Sequence, residues 1–115
     1  MSGAVQVPEV EVDEARKHIA GGALLLDVRE ADEWTAGHAP EALHIPMGEV
    51  TEARDQLPTD RTVLAICRSG ARSARVTAAL TSWGFEAANV AGGMQAWAAS
   101  GFDVVTDEGT PGHVA

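Results

Sequence analysis

One cysteine occurs in the 115 residues, and it opens the run Cys67-Arg68-Ser69-Gly70-Ala71-Arg72-Ser73. A thiol followed by two guanidinium groups, two hydroxyls and a glycine has the parts of a nucleophile that handles anions. An unperturbed thiol, with a pKa of about 8.5, is mostly protonated near neutrality, so such a nucleophile needs a positive environment. Gly70 lets the backbone curl so that successive N–H groups point inward as an anion nest. Arg68 and Arg72 can each meet an oxyanion through two parallel hydrogen bonds. Ser69 and Ser73 can donate to the sulfur or to a leaving group, although Ser69 would equally serve as a helix cap. The plain alternative for Cys67 is a buried, inert core thiol.

The flanking elements decide between these readings. Thr62-Val63-Leu64-Ala65-Ile66 is short and β-branched, which suits a buried parallel strand. From Ala71 to Trp83 the apolar positions Ala74, Val76, Ala78, Ala79, Leu80 and Trp83 suit an amphipathic helix. The thiol then lies where a strand ends and a helix begins, at the positive end of the helix macrodipole.

The rest of the chain repeats this alternation. Val10 and Val12 predict a short edge strand, and Asp13 to Ala20 a helix stopped by Gly21-Gly22. Strands are expected at Ala23–Asp27, Leu43–Ile45 and Ala87–Val90, and helices at Ala31–Ala36, Gly48–Leu57 and Met94–Ala99. Gly92-Gly93 reads as a turn, Phe102 to Val105 as a short extended return, and Thr106 to Ala115 as a mobile tail rich in Gly, Pro and acids. Strands alternating with helices imply one α/β domain with a largely parallel sheet. Ligands bind at the carboxyl ends of such strands, where Asp27 and Cys67 both fall.

Charge sharpens the picture. The chain carries −9 overall, yet residues 61–85 hold four arginines (61, 68, 72 and 75) and no acid. The acidic balance argues against nucleic acid and anionic membranes as partners. A single cysteine excludes an internal disulfide, a Cys-x-x-Cys redox pair and a multi-cysteine zinc site. Met1 to Glu14 shows neither the basic start nor the apolar run of a signal peptide, and no apolar run reaches membrane-spanning length. A free thiol persists best in a reducing compartment, so a cytoplasmic location is expected. His38 and His44 lack carboxylate or thiol partners at ligand spacing, so no metal is expected and both read as structural. Trp34, Trp83 and Trp97 read as packing anchors. An Arg29–Glu33 pair, four residues apart, with Asp27 capping the helix, is the expected local arrangement after the second strand.

Three segments together resemble the rhodanese-like domain family. They are Leu25-Leu26-Asp27-Val28-Arg29-Glu30 with Glu33-Trp34, Gly37-His38 and Ala42 to Pro46; the loop Cys67 to Ser73; and Ala91-Gly92-Gly93-Met94-Gln95-Ala96-Trp97. The resemblance covers residues 7–105, in order and at matching spacing, leaving 106–115 outside. It implies a five-stranded, mostly parallel sheet flanked by helices on both faces. It also implies a sulfurtransferase that takes sulfur from thiosulfate or a persulfide onto Cys67 and passes it to cyanide, a thiol or a protein acceptor, with no cofactor. Arg68, Ser69, Gly70, Ala71, Arg72 and Ser73 would then form the active-site loop. Glu41 stands where the family usually has a small residue, often glycine, so the turn at 38–42 is where a local difference is expected. Cysteine phosphatases also place Cys and Arg in a loop at a helix N-terminus, but with five intervening residues. Here four separate Cys67 from Arg72, and the tighter cradle suits a single sulfur better than a tetrahedral phosphate. A persulfide carrier or docking module in a sulfur-delivery pathway is the other reading.

Overall fold

The computed structural model describes residues 7–115. Of the stretch Met1 to Glu14, read as lacking signal-peptide features, Met1 to Gln6 lies outside the described residues. Five strands form one sheet: β1 (Glu9–Val10), β2 (Leu24–Asp27), β3 (Leu43–His44), β4 (Val63–Ile66) and β5 (Ala87–Val90). Their order is β1-β5-β4-β2-β3 and every pairing is parallel. The helices are α1 (Val12–Ala20), α2 (Ala31–Ala36), α3 (Val50–Ala53), α4 (Ala71–Ser82) and α5 (Gly93–Ala99).

The strands read as unbroken apolar runs because both faces of the sheet are covered. Along β4 the side chains alternate between two cores. Leu64 and Ile66 join Leu25, Ala88 and Val90 against Val12 and Ala15 of α1 and Met94 and Trp97 of α5. Val63 and Ala65 join Leu26 and Ala87 against Val50 of α3 and Val76 and Leu80 of α4. The period-two geometry of a strand thus sorts one four-residue segment into two hydrophobic layers. That fixes β4 centrally, with its carboxyl end aimed out between the layers.

Several boundaries differ from expectation. Val12 begins α1 rather than extending a strand, and its side chain is buried beneath that helix. The helix expected over 48–57 is only four residues of α-helix between two 3₁₀ turns, Met47–Glu49 and Arg54–Gln56. Val50 and Leu57 are its buried contacts, too few to hold a longer helix straight against the sheet. Residues 106–115, expected to trail free, fold back along α2. Val105 bridges both His38 and Pro111, the His113 N–H donates to the Ala36 carbonyl at 3.0 Å, and Val114 packs on the first core. Glu41 introduces no strain: none of the described non-glycine residues has positive φ, and its carboxylate pairs with Arg16 at 2.7 Å. No described helix is long and apolar enough to cross a membrane.

Candidate active site

Cys67 is the residue immediately after β4, and its peptide carbonyl is tied rather than free. The Met94 N–H donates to the Cys67 carbonyl at 2.8 Å, and the Gln95 N–H donates to the Arg68 carbonyl at 3.0 Å. These are N–H groups of the first turn of α5, so the orphan donors of that helix hold the entry of the cysteine loop. The approach is close enough to require glycine. A Cβ on Gly93 would fall on the Cys67 carbonyl oxygen and lie 2.7 Å from the Arg68 carbonyl group, at a φ of +57°. The sequence shows Gly92-Gly93 only as a turn; their role as the brace of the loop appears once β4 and β5 lie side by side.

The other end of the loop turns at Gly70, whose φ of +113° starts α4. That turn brings the Gly70 N–H to 3.1 Å from Cys67 Sγ. One turn into α4, the buried Ser73 hydroxyl donates to the same sulfur at 3.2 Å. Burial pushes the Cys67 thiol up, but the Ser73 hydroxyl and the N–H groups of Ser73, Gly70 and Ser69 outweigh it. The net pKa lies below the ordinary thiol value. The nest of N–H groups thus stabilises the thiolate, while Arg72, expected to do so, gives its two terminal nitrogens to Glu33. Ser69 has no capping contact in α4, whose first residue follows Gly70. Asn89, buried on β5, steadies the turn by donating to the Gly70 carbonyl at 3.2 Å and to Glu9 at 3.1 Å. Sequence reading missed Asn89, and it had no local signal by which to be found.

Arg72 faces α2. Its two terminal nitrogens donate to the two carboxylate oxygens of Glu33 at 2.7 and 2.8 Å. The Arg72 hydrogen bonds hold the Glu33 carboxyl down at about 2 despite partial burial, and Glu33 raises Arg72 further above its ordinary range. Arg68 is exposed, with Nε 2.8 Å from the Ala115 carbonyl.

The expected Arg29–Glu33 pair does not form. Arg29 precedes α2, whose cap is Glu30, with the Glu33 side chain accepting from the Glu30 N–H. The Arg29 guanidinium turns inward instead. It is fully buried and grips Asp27 through Nε and Nη2, the latter at 2.8 Å, while Nη2 also donates to the Gly37 carbonyl. Asp27 therefore neutralises a buried charge rather than capping a helix. The Trp34 indole lies flat between His38 and His44, with centroids at 3.5 and 4.8 Å. The rings are fixed by hydrogen bonds from His38 Nδ1 to the Trp34 carbonyl and from His44 Nε2 to the Arg29 carbonyl. Trp34 thus anchors the segment from His38 to His44, whereas Trp97 fills the first core.

Comparison with known proteins places these features in a family. The family described as Rhodanese-like domain matches residues 11–100. A sulfurtransferase of Allochromatium vinosum is 36% identical over 106 residues, 90% of this chain and 99% of its own. Thiosulfate sulfurtransferase 18 of Arabidopsis thaliana is 35% identical over 124 residues, 94% of this chain and 90% of its own. Among solved structures, a rhodanese-related protein of Thermoplasma volcanium superposes with a TM-score of 0.81 at 30% identity, covering 87% of this chain and 99% of that one.

Proposed function

The chain belongs to the rhodanese-like domain family, and from that premise we propose that it is a sulfurtransferase working through a persulfide on Cys67. The observation that carries the proposal is the sulfur's position. Sγ lies at the carboxyl end of the central strand and accepts hydrogen bonds from the Gly70 N–H and the Ser73 hydroxyl. Those donors favour the thiolate over the thiol, which is the form that attacks.

With thiosulfate as donor, the Cys67 thiolate attacks the outer sulfur. The Sγ–S bond forms as the donor's S–S bond breaks, and sulfite leaves with the bonding electrons. The Cys67 persulfide anion then sits where the nest of Ser69, Gly70 and Ser73 N–H groups can hold its charge. A second thiophile, cyanide or a thiol, attacks the outer sulfur and returns Cys67 as thiolate. No metal or organic cofactor enters either half-reaction. Arg68, Ser69 and Ala71 are the exposed residues of the loop, where an incoming donor or acceptor would pass.

Intact mass of the protein after incubation with thiosulfate or an alkyl persulfide, beside Cys67→Ser, tests the proposal. Gain of one sulfur atom, removable by cyanide and absent from the variant, is the expected result. No gain with either donor would overturn it.

A further inference from the structure

Of the two arginines in the cysteine loop, one is already spent. Arg72 gives both terminal nitrogens to Glu33, in a pair whose side chains are only 30% and 16% exposed. The Arg72 charge is also felt by Cys67 and, more weakly, by Glu30 just before the same helix. The site therefore offers an incoming anion the exposed Arg68 and the backbone nest, but no net charge from Arg72.

The donor's own charge makes this matter. A thiolate meeting thiosulfate brings one negative charge against two, and the departing sulfite keeps two. A thiolate meeting a protonated alkyl persulfide, R–S–SH, brings one charge against none. The Sγ–S bond forms, the donor S–S bond breaks and RS⁻ leaves with its electrons. The proton stays on the transferred sulfur, so Cys67–S–SH results and total charge never exceeds one. The first reaction needs cations at the loop; the second does not.

We propose that Glu33 is a specificity-determining residue that, by neutralising Arg72, tunes the site away from dianionic thiosulfate and towards alkyl persulfide donors. This rests on the sulfur-transfer reading of Cys67. Glu33 reaches the loop from α2, 39 residues away in sequence, and its carboxylate spans the guanidinium in a two-point grip that water would not reproduce.

The test is the single-turnover rate of Cys67 sulfur loading, followed by intact mass, with thiosulfate and with 2-hydroxyethyl persulfide. Wild-type, Glu33→Gln and Arg72→Gln proteins are compared, each checked for an unchanged fold by circular dichroism at the assay temperature. Removing the Glu33 charge is expected to raise thiosulfate loading about tenfold, and persulfide loading by no more than about threefold, since that donor reacts as the neutral R–S–SH. Arg72→Gln is expected to lower thiosulfate loading by a similar factor, because Glu33 is then unpaired. An unchanged donor ratio in Glu33→Gln, or a fall in thiosulfate loading, would overturn the assignment while leaving the persulfide chemistry standing. Failure of both donors to load wild-type protein would overturn the sulfur-transfer reading and the specificity role with it.

Discussion

Replacing Ser73 with alanine isolates the interaction that sets the nucleophile's reactivity. The hydroxyl is fully buried and donates to Cys67 Sγ at 3.2 Å, so its removal leaves no room for water to take its place. A hydrogen bond to an ionised partner contributes about 1.5–3 kcal/mol, and about 1.4 kcal/mol corresponds to one pKa unit. The Cys67 pKa is therefore expected to rise by about one to two units in Ser73→Ala. At a pH below the wild-type pKa, the thiolate fraction falls about ten- to hundredfold. The more basic thiolate is intrinsically a better nucleophile, with a Brønsted coefficient of about 0.4–0.5, so the net loss in alkylation rate is about three- to twentyfold. The assay is iodoacetamide alkylation across pH, with the thiolate absorbance as an independent titration. The whole profile should move to higher pH while the plateau rises. The double variant Glu33→Gln/Arg72→Gln is the comparison, because it removes the ion pair without leaving either charge unpaired. If the double variant raises the pKa more than Ser73→Ala does, then charge and not the hydrogen-bonded nest controls the thiol, and the reasoning fails.

Three other outcomes follow from the same geometry. Gly93→Ala, which sets a methyl against the carbonyls of Cys67 and Arg68 at positive φ, should cost at least about 2 kcal/mol in urea denaturation. A loss under about 0.5 kcal/mol would mean the loop can move off α5. Asp27→Ala strands the fully buried Arg29 guanidinium and should cost about 3–5 kcal/mol by the same measurement, whereas an exposed pair would cost under 1. Glu33 has its pKa lowered from 4.5 to about 2, so its contribution to stability is present above about 4.5 and is lost as pH falls towards 2. Discounted for partial exposure, that contribution is about 1–2 kcal/mol. Denaturation of wild type and Glu33→Gln between pH 5 and 2 should therefore converge, and parallel curves would refute the coupling.

What could be read in advance divides along sequence distance. The β4 strand, the cysteine loop and α4 are contiguous, and each carries a local signal: β-branched residues, a glycine, then an amphipathic stripe. The Glu33–Arg72 pair had no such signal, because residues 39 apart meet only through the sheet order. Helical spacing misled at Arg29. The four-residue interval to Glu33 means contact only inside a helix, but α2 begins at Ala31, and Arg29 belongs to the strand exit that points inward. Composition misled at 106–115. Glycine, proline and acids often mark mobility, yet here they let the chain turn and pair with Val105 while Val114 finds the core. The Gly92-Gly93 pair lay in between, since its presence was plain but its brace on Cys67 depended on two strands being neighbours.

The strand order has a consequence for how the molecule comes into being. β1 has a single neighbour, β5, with Glu9 opposite Asn89 across some eighty residues of chain. As the polypeptide leaves the ribosome, the first strand made therefore waits for the last, and β4 has one open edge until residues 87–90 appear. The N–H groups of Met94 and Gln95 that tie the cysteine loop emerge later still. Until then, the thiol is held only by its own helix, as one side chain on an unfinished sheet. Such late, non-local closure makes folding slow and leaves partly built chains exposed to association. The nascent protein thus carries an unguarded cysteine from the making of Cys67 until the first turn of α5 emerges, and that turn completes its protection.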